Sequence, residues 1–244
     1  MMDDRTFLEE LRQIVIRRAA VMHLVDTMAF VSEVAERLEE DPVFGQFVPL
    51  EFSGTGSRNR QLRVHGFTEL DDSDGTIGLV IGKWSDSEEP ETLTTTVVNQ
   101  LSGWLESFVL ESVESRLNER IAEANPAYEL ACQLQNMGTR INRIRLHIFS
   151  NQPLTQRFKE EQCGNVAGIP IERHIWDLQR LKAMYESSRE REAVEITLSD
   201  FGCDGIPCIE AARTDRLRSY LCVMDATLLA DLFGRYGSRL LEGN

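Results

Sequence analysis

The sequence predicts an α/β fold built around a mixed sheet, and three observations predict it. Apolar residues recur at helical spacing over residues 7–38, with no Gly or Pro before Pro42. Between Phe47 and Trp84 the period shortens to that of strands. Beyond Pro90, helical stretches alternate with short apolar runs. The chain has 244 residues, of which 42% are hydrophobic, enough to bury a core in one large domain or two small ones.

Thr6-Phe7-Leu8-Glu9 has the form of a capping box, so a first helix is expected to start there. Phe7, Leu11, Ile14, Val21, Val25 and Met28 fall at helical spacing and mark a buried face that continues into the second helix. That second helix is expected from Asp26-Thr27 to about Glu40, with Phe30, Val34 and Leu38 inward. Strands come next, at residues 47–52, 62–67 and 77–84. A loop at residues 53–57 and a turn at residues 71–75 separate them, which makes a meander. Pro90 suits the first turn of a long helix running to Ile121, with Leu93, Val97, Leu101, Trp104 and Phe108 on its apolar face. Asn125-Pro126 restarts a helix that ends at Gly138.

Ile144, Leu146 and Ile148 then alternate with Arg143, Arg145 and His147, which predicts a strand with one charged face. Residues 169–175 form another, which Pro170 places at an edge or gives an irregular start. A helix is expected over residues 176–187, a strand over 193–198, a turn at 205–207 and a strand over 217–224. Asp225 caps a last helix through Leu241.

Charge and cysteine content narrow the function classes. The net charge is −14, and residues 1–125 carry 11 Lys and Arg against 24 Asp and Glu, whereas residues 126–244 carry 15 against 16. A nucleic-acid binder needs a basic footprint, so the first half disfavours nucleic acid as a partner. The acidic start Met1-Met2-Asp3-Asp4 is not a signal peptide, no apolar stretch spans a bilayer, and the expected location is the cytoplasm with no membrane partner. Five scattered cysteines do not make a secreted disulfide framework.

The element order of the first part, helix, three strands, helix, strand, is similar to the core of the PD-(D/E)xK, or restriction-endonuclease-like, nuclease superfamily. Residues 1–139 are read as that portion, with its last core strand at 143–149, and residues 140–244 as a second, smaller α/β unit. The second half resembles the bacterial abortive-infection phage-resistance (AIPR) family. The resemblance rests on Arg140-Ile141-Asn142-Arg143-Ile144-Arg145-Leu146 running on to Ser150-Asn151, and on Ile175-Trp176-Asp177-Leu178-x-x-Leu181. It rests also on Arg189-Glu190-Arg191-Glu192 before Val194-Glu195-Ile196, on Tyr220-Leu221 before Leu228-Leu229-Ala230-Asp231-Leu232, and on Tyr236-Gly237-Ser238-Arg239-Leu240-Leu241-Glu242. Relatives continue from there into a longer helical region, so the chain is expected to be a fragment or a natural truncation. The resemblance implies antiviral defence, and it names no reaction.

A nuclease of this fold needs a carboxylate at the hairpin and an acid-x-Lys on the next strand, so that Mg²⁺ or Mn²⁺ can activate water. Glu33 and Glu36 lie on the helix that often completes such a site. Where the resemblance implies Val-Asp-Gly-aromatic, this chain reads Val64-His65-Gly66-Phe67, and where it implies Ile-Ser-Asp-aromatic it reads Ile81-Gly82-Lys83-Trp84. Both acids are gone. The expectation is a non-catalytic interaction or sensor module that needs no cofactor and whose partner is another protein or the rest of a longer defence protein. The alternative is a metal-dependent nuclease with an altered site of Glu36, His65 and Lys83. Arg143 and Arg145 are candidates for phosphate contact, against the reading that they neutralise the acidic first half. Cys203 and Cys208, with Cys163 and His174, could suggest zinc, but their C-x₄-C spacing is at the loose edge and no second pair follows, so they read as inert cysteines. The acidic run 71–75 lacks the spacing and distal Glu of a Ca²⁺ loop.

Overall fold

The computed structural model describes residues 3–39, 44–71, 74–87, 91–136, 140–155, 161–189, 197–202, 205–213 and 218–236. The chain forms two compact units, residues 1–184 and 185–244. It is a mixed α/β protein, with a six-stranded mixed sheet in the first unit and a two-stranded sheet in the second.

The first unit opens with α1 (Asp4–Met22), preceded by Asp3 in extended conformation with no side-chain cap. The capping box expected at Thr6 is therefore not used, because Thr6 already lies inside the helix. The buried stripe is Phe7, Leu8, Leu11, Val15 and Ala19, and Val21, expected inward, is 76% exposed because the helix ends one residue later at Met22. The α2 helix (Asp26–Leu38) buries Phe30, Val34 and Leu38 as their spacing predicts.

The strands β1 (Phe47–Thr55), β2 (Gln61–Thr68) and β3 (Thr76–Lys83) form the antiparallel meander. The first of them runs through the segment expected as a loop, because Gly54 and Thr55 pair with Leu62 and Gln61. The long helix α3 (Thr95–Glu114) starts later than expected, where the Thr94 hydroxyl accepts from the Val97 N–H, and stops short of Ile121. Pro90 and Gly138 lie outside the described residues. The short α4 (Tyr128–Asn136) comes after an Asx turn in which Asn125 accepts from the Ala127 N–H at 2.9 Å. The strand β4 (Arg143–Ser150) then pairs parallel to β3, along all of its length.

On the far side of β4 lies β6 (Ile169–Trp176), also parallel, and β5 (Glu161–Val166) closes that edge as its antiparallel neighbour. The strand carrying Pro170 is thus internal rather than an edge. Its pairing with β4 begins at Ile171, so the missing N–H of Pro170 costs the inner ladder nothing. The sheet order is β1-β2-β3-β4-β6-β5.

Ile77, Leu79 and Ile81 of β3 share a core with Leu101, Leu105 and Phe108 of α3 and with Ile144, Leu146 and Ile148 of β4. Alternation turns Gly82 to the opposite face, where a side chain would meet Val31 and Thr27 of α2. The sheet is therefore sandwiched, with α3 on one face and α2 on the other. Some twenty-five buried apolar residues fill the α3 side, the dominant stabilising term for a unit of this size.

Helix α5 (Leu178–Arg189) comes after β6 and spans the boundary between the units. In the second unit β7 (Cys208–Arg213) and β8 (Arg218–Cys222) form an antiparallel hairpin. The last helix is α6 (Ala226–Tyr236), which Asp225 caps by accepting from the Thr227 N–H at 2.8 Å. The strand expected over residues 193–198 lies almost wholly outside the described residues, and Leu198 opens a 3-10 turn.

Candidate functional site

Strands β2 and β3 are each eight residues long, yet their backbones pair only at Gly66–Val80 and Phe67–Leu79. Side chains continue the ladder on both sides. The Thr68 hydroxyl accepts from the Gly78 N–H at 2.8 Å, and His65 Nδ1 accepts from the Gly82 N–H at 2.9 Å. Beyond His65 the strands part. The fork between them is where the nuclease reading would put its metal.

His65 forms the apex of the fork and is 1% exposed. Because Nδ1 accepts the Gly82 bond, the neutral ring carries its proton on Nε2, which lies 3.1 Å from Arg63 Nε. A neutral imidazole cannot accept at both nitrogens. The Gly82 bond prevails, since a buried ladder N–H left without an acceptor costs more than a half-buried guanidinium that water can serve. Burial first, and the Arg63 cation second, push the His65 pKa down to about 4. The ring is thus neutral at pH 7. Arg63 also reaches Trp104 of α3, its guanidinium carbon 5.9 Å from the ring centre.

Lys83 is exposed and, among the described residues, has no ion-pair partner. It sits directly after Gly82, so alternation sends its side chain to the sheet face opposite His65. Trp84 returns to the α2 face and packs on Phe30, ring centres 5.1 Å apart. The two glutamates of α2 are engaged elsewhere. Glu33, 8% exposed, accepts from Arg18 at 2.8 Å and Arg37 at 2.9 Å, and Glu36 pairs with Arg18 at 2.6 Å. Glu36, His65 and Lys83 therefore do not converge. The fork presents Arg63 and an imidazole whose free acceptor is spent, and this pair does not fit a divalent cation. Among the described residues, no three His, Cys, Asp or Glu side chains gather closely enough to hold a metal.

Arg143 and Arg145 both reach Glu172 of the neighbouring strand, at 3.3 and 3.4 Å. This acid lies across the parallel β4–β6 pair. Further along the same face, His147 stacks on His174 with ring centres 5.1 Å apart and meets Phe44 edge-on at 4.9 Å. His147 is buried, and neither ring nitrogen has a hydrogen-bond partner among the described residues. Its pKa is pushed far down by burial, then by His174, Arg145 and Arg180.

The carboxyl ends of the parallel strands β3, β4 and β6 hold a polar cluster that motif spacing did not reveal. Asn151 clasps Ser85 in both directions, accepting its N–H at 2.9 Å and donating to its carbonyl at 2.7 Å. Glu91 accepts from the Ser85 hydroxyl at 2.7 Å and from Gln152 at 2.8 Å. Asp177 accepts from the N–H groups of Leu154 and Arg180, both at 3.0 Å, and so caps α5. Only the cap was readable, as an Asp directly before a helical pattern. These bonds tie the ends of the three strands and their following loops together.

Of the residues considered for zinc, His174 is in the His147 stack, Cys208 is exposed on β7, and Cys203 lies outside the described residues. The acidic run behaves as a turn, with Gly75 N–H donating to the Asp71 carbonyl and Asp74 accepting from the Thr76 N–H. No helix among the described residues is long and apolar enough to cross a membrane.

The fold defines the class as a mixed α/β protein with a six-stranded mixed sheet. Residues 30–183 match the family model of the abortive infection phage resistance protein N-terminal domain, and the chain belongs to that family. Membership implies a role in phage defence. No match was found among curated proteins or among solved structures.

Proposed function

We propose that this chain is a non-catalytic interaction or sensor module of a phage-defence protein, built on a degenerate restriction-endonuclease-like core. The observation that carries the reading is His65. At the hairpin position where the nuclease needs a carboxylate, a buried neutral imidazole is spent on the Gly82 N–H. The order of the meander, α3 and the parallel β4 supports the nuclease-like ancestry. The engagement of Glu33 and Glu36 by arginines supports the loss of catalysis. The partner is a protein surface or a further part of a longer defence protein, and the acidity of the first half argues against a nucleic-acid ligand.

Calorimetric titration of Mn²⁺ and Mg²⁺ into the chain, with parallel incubation on DNA and RNA, tests this. No stoichiometric heat and no metal-dependent cleavage are expected. Stoichiometric binding together with cleavage that His65→Asn or Lys83→Ala abolishes would establish the altered-site nuclease instead.

A further inference from the structure

We propose that Cys208 and Cys222 form an exposed redox-active dithiol that closes to a cross-strand disulfide in the β7–β8 hairpin. The two cysteines are directly opposite each other in the antiparallel register, and both are free and exposed. Their pair type decides the case. The Val223 N–H donates to the Pro207 carbonyl at 3.0 Å, so the adjoining pair 207/223 is of the hydrogen-bonded kind. Pair types alternate along an antiparallel ladder, which makes Cys208–Cys222 a non-hydrogen-bonded pair. Such pairs hold their Cα atoms about 4.5 Å apart with the side chains close together on one face. A disulfide accepts Cα separations of about 4.4–6.8 Å, so the bond forms here without moving the backbone. A hydrogen-bonded pair would hold its side chains farther apart.

The hairpin gives the bond a purpose. A lone two-stranded sheet is marginal in water, and this one exposes Ile209 and Leu221, paired next to the cysteines, at 66% and 61%. The oxidant is a low-molecular-weight disulfide such as oxidised glutathione. One cysteine thiolate attacks it, forming a mixed disulfide and expelling one glutathione thiolate. The second cysteine thiolate attacks the protein sulfur of that mixed disulfide, forming the Cys208–Cys222 bond and expelling the second glutathione. Two electrons leave the protein for the oxidant, and the two thiol protons end on the released glutathiones.

The test is peptide mapping of the full chain after equilibration in glutathione buffers of graded ratio, with alkylation of the remaining thiols. A Cys208–Cys222 linked peptide within single chains is expected, with half-buried Cys132 still alkylated. Closing this ring of about 15 residues is expected to slow amide exchange in the hairpin by up to about a hundredfold. Cys222→Ser should instead stop at a glutathione adduct on Cys208. Alkylation of Cys208 and Cys222 to the extent of Cys132 in oxidising buffer would overturn the proposal. So would links joining two chains, or joining either cysteine to Cys203.

Discussion

Lowering the pH from 7 to 4 is expected to cost the folded chain about 3 kcal/mol through His65 alone. The unfolded imidazole titrates at 6.5 and the folded one at about 4. Between those values the unfolded chain binds more protons, so stability rises with pH across the window. The contribution of His65 is complete above pH 6.5 and is lost as the pH falls toward 4. The difference of roughly 2.5 units at 1.36 kcal/mol each gives the magnitude. The figure is a large part of the ~5–15 kcal/mol that holds a domain folded. Protonation also removes the acceptor of the Gly82 N–H, since an imidazolium only donates. Urea denaturation at pH 7, 6, 5 and 4, monitored by tryptophan fluorescence, measures it, with Trp84 against Phe30 reporting from the same strand end. His65→Asn supplies an oxygen acceptor that does not titrate. Its profile should be flatter by about 3 kcal/mol over this range, while the slope due to other groups remains. Parallel profiles for the two proteins would refute the assignment of Nδ1 as the ladder acceptor and of the ring as neutral.

Three further substitutions probe the surroundings of the fork. His147→Leu should leave stability unchanged or raise it by about 1 kcal/mol in urea melts at pH 7, because neither ring nitrogen has a partner to lose among the described residues. A loss above about 2 kcal/mol would show that the ring makes a polar contact the protein depends on. Glu33→Gln, which weakens the clasp of Arg18 and Arg37 on a side chain 10% exposed, should cost about 1–3 kcal/mol. A neutral result would mean the clasp contributes nothing beyond its surface neighbours. Gly82→Ala places a Cβ 2.3 Å from Val31 Cγ2 and should cost about 1–3 kcal/mol, with the added mark of shifted Trp84 fluorescence. Val31→Ala in the same chain should restore part of that loss by opening the space.

The sequence revealed what depends on neighbours along the chain and concealed what depends on pairing. Phe30, Val34 and Leu38 are one turn apart, and their burial could be read from spacing. The alternation of β4 was legible for the same reason. The partner of Arg143 and Arg145 was not, since Glu172 comes alongside only through the parallel register of β4 and β6. Strand β5 was missed because Glu161, Gln162, Gly164 and Asn165 give it no apolar period, and an edge strand needs none. The capping signal at Thr6 was real as a pattern and lost to Asp3, which starts the helix earlier. At the site, the resemblance implied an acid where His65 stands, and only the β2–β3 register showed that His65 accepts from the Gly82 N–H.

That replacement has a physical logic. With β2 and β3 paired at just two positions, the Gly82 N–H faces position 65 and requires an acceptor from whatever stands there. An aspartate, as the family resemblance implies for relatives, and a neutral histidine both supply one. An aspartate keeps a second oxygen for a cation, whereas a histidine that accepts at Nδ1 keeps only an N–H. An Asp-to-His exchange here therefore conserves the strand junction while removing the hard oxygen ligand. Lysine at position 83 acts in the same direction by supplying no oxygen ligand on the neighbouring strand. His65→Asp tests the logic directly. It should fold with the Gly82 bond intact and show a buried carboxylate titrating above its ordinary range, because Lys83 points to the other face and Arg63 alone must offset burial. If His65→Asp fails to fold at pH 8 but folds at pH 5, the site tolerates only a neutral acceptor, and the aspartate of relatives must be held by a contact that this chain has lost.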